Sequence, residues 1–167
     1  MSDISTFRKN ASQIVNWIEQ YFGHIEEYPV KSVVKPREIY KQLPSDPPEH
    51  GEDFKMLMED FEHIIMPGMT HWQHPHFFAY FPANSSFPSI LAEMITASLG
   101  AQCMKWETSP AAAELEEMMM NWLKQMTGLP QNFHGVIQDT ASTATLCAIL
   151  SARENMSGYQ TNTEGFT

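Results

Sequence analysis

Thr140, Ser142, Thr143 and Thr145 crowd the point where a short apolar run, Gly135-Val136-Ile137-Gln138, turns through Asp139 to Ser142 into a helix-patterned stretch. A helix that starts there leaves unpaired backbone N–H groups and a partial positive end, and hydroxyl donors beside them suit a phosphate. The same residue types also serve as ordinary helix caps, and Asp139 would repel a phosphate if it pointed inward. No Gly-x-x-x-x-Gly-Lys loop accompanies the turn, which argues against a nucleoside triphosphate site. A second cluster is His71-Trp72-Gln73-His74-Pro75-His76-Phe77-Phe78-Ala79-Tyr80-Phe81-Pro82. Its histidines have no acidic or cysteine neighbour and match no common zinc spacing, so we assign no metal ligands. Its five aromatics offer rigid apolar surface, suited either to packing or to enclosing an aromatic ligand.

The third chemical feature is a lack. The seven lysines are Lys9, Lys31, Lys35, Lys41, Lys55, Lys105 and Lys124. None sits in a context that implies a desolvated, activated amine. No Ser-His-Asp or Cys-His set is present either, so we assign no catalytic residue.

These features need a scaffold, and 167 residues with 43% hydrophobic content suffice for one sizeable core. The formal charge of −10 argues against nucleic acid and anionic membranes as partners. No apolar stretch approaches a membrane span, and Met1 to Asn10 lacks a signal-peptide apolar region. Cys103 and Cys147 suggest no disulfide framework, so a cytoplasmic location is expected. The twelve methionines fall partly in helical stripes, where Met fills irregular gaps.

Helical spacing predicts a first helix over about Ser5 to Phe22. Tyr28 to Glu49 carries five prolines and reads as an extended connector. A second helix is expected from about Asp53 to Ile65, stopped by Pro67 and Gly68, and a third from near Pro88 to Gly100. Ser109-Pro110 is a cap-and-first-turn signature for a fourth, which Gly128-Leu129-Pro130 ends. Gly135 to Gln138 is predicted as a short strand, followed by a fifth helix containing Leu146, Ile149 and Leu150. A lone strand cannot satisfy its backbone groups, so further strands are expected elsewhere and the sequence reads as a fragment.

Three long motifs carry a resemblance: HWQHPHFFAYFPANSSFPSILAEMI, KWETSPAAAELEEMMMNWLKQMTGLP and GVIQDTASTATLCAILSAREN. In this order they resemble the group II pyridoxal-phosphate-dependent decarboxylases, within them the aromatic-L-amino-acid branch. The FFAYFP form points away from the glutamate decarboxylases. The resemblance extends over essentially the whole chain. It implies a mainly α piece forming the amino-terminal portion of an α/β fold-type I pyridoxal-phosphate enzyme, aspartate-aminotransferase-like. Residues 1–85 would be a helical dimerisation segment with the Pro-rich connector, and residues 86–167 the start of the large cofactor-binding domain.

The resemblance also assigns residues. It places the phosphate of pyridoxal 5'-phosphate on Ala141 and Ser142, although the animal enzymes of the family usually carry Gly-Ser where this chain has Asp139-Thr140. Trp72, Tyr80, Phe81 and Pro82 match positions lining the substrate pocket, with Ala83 where many relatives have a substrate-contacting Thr. Gln102 and Met104 match positions reaching into a neighbouring subunit's pocket. The implied partners are an aromatic amino acid and a second copy of the chain or the missing carboxy-terminal part. The family's cofactor-binding lysine, ring-stacking histidine and pyridinium-pairing aspartate lie beyond residue 167, so the chain alone is expected to be inactive. An aromatic aldehyde synthase on the same scaffold and a non-catalytic helical dimerisation module are the competing expectations.

Overall fold

The structure, a computed structural model, describes residues 4–82 and 85–165. They form two compact units, Met1–Ile90 and Leu91–Thr167. Helices dominate both, and no β-strand occurs among the described residues.

The first unit opens with α1 (Ile4–Gly23). Its Trp17 and Tyr21, one turn apart, stack at 5.3 Å, and Trp17 meets Phe61 edge-on at 5.0 Å. The Asp53 carboxylate accepts the Lys55 N–H at 2.8 Å and caps α2 (Phe54–Asp60). The helix predicted as one piece to Ile65 instead changes pitch. It widens into a π-helical turn at Phe61–Ile65 and tightens into a 3-10 turn at Met66–Gly68, where Pro67 has no N–H to continue the ladder.

The Pro-rich connector is not a free spacer. Val30 O accepts the His71 N–H at 3.0 Å, and Ser32 Oγ donates to Pro67 O at 3.0 Å. A Cβ on Gly68 would lie 3.0 Å from Ile39, so glycine permits this close approach. Met66, His71 and His74 are the buried residues among those described, and all lie in this unit.

His71 is 3% exposed; Tyr28 lies against its ring at 4.7 Å, and Tyr21 Oη shares a 2.9 Å hydrogen bond with its Nδ1. Burial, and secondarily the neighbouring His74, hold the His71 imidazole below its ordinary range, so it is neutral. The folded state therefore binds fewer protons here than the unfolded chain. The stability contributed is complete above about pH 6.5 and is lost as pH falls through that value towards the depressed folded one. Accordingly, the His71 amide should lose exchange protection, corrected for intrinsic rate, between about pH 7 and 5. His71→Gln should flatten that dependence; an unchanged slope would remove His71 as its source.

After α3 (Phe87–Leu99) the second unit contains α4 (Pro110–Met126), α5 (Ala141–Met156) and a single helical turn, α6 (Thr161–Glu164). Ser86 and Ser89 cap α3 reciprocally, each backbone N–H donating to the other's Oγ at 3.0 and 3.2 Å. Gly100, at φ +58°, follows its last turn. Ser109 precedes α4 as expected, with Pro110 in the first turn, but its side chain makes no capping bond. Gly128, at φ +68°, closes α4, and the Leu129 N–H reaches back to Lys124 O at 3.0 Å.

The strand predicted at Gly135 to Gln138 is not formed. A strand needs a neighbour to bond, and among the described residues this segment finds a side chain instead: the Ile137 N–H donates to Glu116 Oε1 at 2.8 Å.

Candidate functional site

The entrance to α5 is built from its cap. Thr140 is extended (φ −145°, ψ 162°), and its Oγ1 accepts the Thr143 N–H at 3.1 Å. Thr140 O takes the Ala144 N–H at 3.0 Å, while Thr145 Oγ1 turns back to Ala141 O at 2.9 Å. Thr140, Thr143 and Thr145 are thus engaged in local bonds. The N–H groups of Ala141 and Ser142 and the Ser142 hydroxyl have no partner among the described residues. They open a 16-residue helix and are exposed. Three free donors at the positive end of a helix fit a phosphate dianion. Asp139, also exposed, stands two residues before Ala141 and sets a negative charge close to that entrance.

The aromatic segment is held by its histidines. His74 Nδ1 accepts the His76 N–H at 3.0 Å, and the His74 N–H donates to His71 O at 3.0 Å. These bonds tie the segment into turns around the buried His71. No group of three His, Cys, Asp or Glu among the described residues is placed to share an ion. Trp72, 46% exposed, stacks on Tyr80 at 5.6 Å with an interplanar angle of 17°, and meets Phe77 at 4.9 Å.

Tyr80 has φ +59°, an uncommon conformation for a residue with a Cβ, and is 86% exposed. Phe81 is 100% exposed and Pro82 half-buried. The chain therefore accepts backbone strain to display aromatic rings rather than bury them. Ala83 lies outside the described residues.

In the second unit, Gln102 and Met104 follow α3 in an exposed loop. Gln102 O accepts the Thr108 hydroxyl at 2.6 Å, and its side chain bonds to Gly100 O at 3.3 Å. The Met104 side chain is exposed. The structure thus brings Trp72 together with Tyr80, sets Ala141 beside Ser142, and keeps Gln102 and Met104 on one loop. The aromatic set belongs to the first unit and the other four residues to the second.

Two contributors escaped the sequence reading. His71 was weighed as a metal ligand, yet its bonds to Tyr21 and Val30 show an anchor for the residue next to it, Trp72. Glu116 gives no local signal of its role, because its bond to Ile137 spans 21 residues, beyond any local pattern.

With this geometry the chain can be set beside known proteins. Residues 36–164 match the family model for the pyridoxal-dependent decarboxylase conserved domain. Tyrosine decarboxylase 2 of Narcissus pseudonarcissus is 43% identical over 158 residues, covering 91% of this chain and 32% of that protein. Phenylacetaldehyde synthase of Petunia hybrida is 41% identical over 160 residues, covering 92% of this chain and 32% of its own length. The crystal structure of Catharanthus roseus tryptophan decarboxylase, in complex with L-tryptophan, superposes with a TM-score of 0.88 at 38% identity. That match covers 98% of this chain and 35% of the solved one. The chain spans about a third of the length of the relatives it matches. A family model that covers most of the chain, joined to agreement in fold, establishes that this chain belongs to the pyridoxal-dependent decarboxylase family.

Proposed function

We propose that this chain serves within a decarboxylase that removes the carboxylate of an aromatic L-amino acid, holding the cofactor phosphate and forming one wall of the substrate pocket. The observation that carries the reading is the trio of donors at the start of α5, Ala141 N, Ser142 N and Ser142 Oγ, that have no partner among the described residues. Bound pyridoxal 5'-phosphate supplies an electron sink for the bond that breaks when carbon dioxide leaves. The residues of this chain bind and orient. Ala141 and Ser142 fix the phosphate end, while Trp72, Tyr80, Phe81 and Pro82, with Ala83, give the aromatic side chain a flat apolar surface. Alanine at position 83 offers no hydroxyl, so recognition on that side rests on shape.

Gln102 and Met104, exposed on their loop, are suited to reach a second subunit's pocket in a homodimer. Residues 1–85 are assigned to dimerisation, and residues 86–167 to the beginning of the cofactor-binding domain. A cytoplasmic setting is assigned as well, and an absence of nucleic-acid or anionic-membrane partners agrees with the charge of −10. No helix among the described residues is long and apolar enough to cross a membrane. The similarity to a phenylacetaldehyde synthase supports a second reading, in which the same scaffold releases an aldehyde. Identifying the product of the assembled enzyme as amine or aldehyde decides between them.

Ser142→Ala removes one of the three donors and should weaken pyridoxal phosphate binding by about tenfold, the usual weight of a hydrogen bond to a charged group. Equilibrium dialysis measures it, and unchanged affinity would count against the phosphate assignment.

A further inference from the structure

The segment entering α5 has no strand beside it among the described residues, yet its course is fixed from α4. Glu116 and Met120 lie one turn apart on a single face of that helix. Glu116 Oε1 accepts the Ile137 N–H at 2.8 Å, and a Cβ on Gly135 would sit 3.2 Å from Met120 Sδ. The first is a charge-assisted hydrogen bond to an exposed backbone donor, and the second is a close approach that glycine permits. Together they grip the chain at alternate residues, 135 and 137. Only Gln138, Asp139 and Thr140 then separate Ile137 from Ala141, and the Thr140 cap fixes the last of these. Little slack remains between the Glu116 bond and the free donors of Ala141 and Ser142.

We propose that Glu116 is a positioning residue for the phosphate-binding turn: by holding the Ile137 amide it aims the Ala141 and Ser142 donors at the cofactor phosphate. This rests on the reading that those two residues hold the phosphate. The role belongs to the acceptor oxygen and its reach, not to the charge. Glu116→Gln keeps an acceptor at the same distance, whereas Glu116→Asp keeps the charge and shortens the reach by one methylene.

The test measures pyridoxal phosphate binding to the full 167-residue chain by equilibrium dialysis, with amide exchange at Ile137 as a second readout that does not depend on activity. Glu116→Asp should bind about tenfold more weakly and exchange Ile137 faster, and Glu116→Gln should stay within about threefold of the unsubstituted chain in both. Normal binding by Glu116→Asp, or weak binding by Glu116→Gln, overturns the proposal. If Ser142→Ala weakens binding while Glu116→Asp does not, the positioning role fails alone. If neither variant differs from the unsubstituted chain, or that chain does not bind, the phosphate reading fails and this inference with it. Should Glu116→Asp lose helix content, Glu116→Leu, which removes the acceptor and keeps a good helix former, takes its place: weaker binding with faster Ile137 exchange supports the role, and normal binding refutes it.

Discussion

Combining this chain with a polypeptide that carries the remaining two thirds of the family fold, including its cofactor-binding lysine, should raise carbon dioxide release from an aromatic L-amino acid at least about a thousandfold. The reference is the 167-residue chain with the same concentration of pyridoxal phosphate. A covalent amine must be desolvated or set beside another cation to react at neutral pH. Here Lys55 pairs with Glu59 at 3.4 Å, Lys105 with Glu107 at 3.8 Å, and Lys124 Nζ donates to Gln131 O at 3.2 Å. Lys9, Lys31, Lys35 and Lys41 are exposed.

The surface favours association as well. The chain exposes 14433 Å². Even two separate compact domains of this combined mass would expose only roughly 10,000 Å². On α4 alone Leu115, Met118, Trp122 and Met126 are open to solvent. Such area is a source of binding free energy once another surface covers it. Because enzymes accelerate their reactions by about a millionfold or more, a thousandfold gain is a modest threshold. Turnover above free cofactor by the chain alone would instead mean that it holds an activated amine of its own, and would sink the division of labour proposed here.

How much of this could be read from the sequence depended on whether the determinant was local. The α1 and α4 periodicities, the Asp53 cap and the Gly128 terminator act within a turn or two, and the helices appear where those signals put them. The change of pitch after Asp60 was not legible, because the apolar spacing continues through Ile65 while the backbone ladder does not. Gly135 to Gln138 has strand composition, but composition cannot supply a partner, and the Ile137 amide went to a carboxylate 21 residues away. The hydroxyls at the start of α5 were legible as a group. Which of them stay free was not, since Thr140 and Thr145 are consumed by bonds that depend on the side-chain rotamers. The same holds for the aromatic run: its ligand-like composition could be read, whereas the buried His71 beneath it could not.

His71→Ala should cost the first unit on the order of 2–4 kcal/mol, more than Trp72→Ala at the next position. The contrast follows from burial and bonding. The His71 ring is buried beside Tyr28 and bonded to Tyr21 Oη, so its removal leaves a void and a half-buried hydroxyl without its partner. Burial, with Tyr28 nearby, already pushes the Tyr21 phenol above its ordinary range, so ionisation offers that hydroxyl no relief. Trp72 is 46% exposed and stacks on a tyrosine that is itself exposed, so a smaller share of its surface leaves water and its removal opens the site to solvent rather than leaving a sealed void. Denaturant midpoints of the two variants measure the difference.

Function should divide the opposite way. In the assembled enzyme Trp72→Ala should lower kcat/KM for an aromatic substrate by about tenfold or more, since the aromatic face is removed while the scaffold stays. His71→Ala should act on the same quantity only as far as it unfolds or loosens the segment, so a stabilising co-solvent should restore part of its loss and none of the loss in Trp72→Ala. Equal destabilisation by both variants would make Trp72 a packing residue, and the aromatic wall would then have no claim on the substrate.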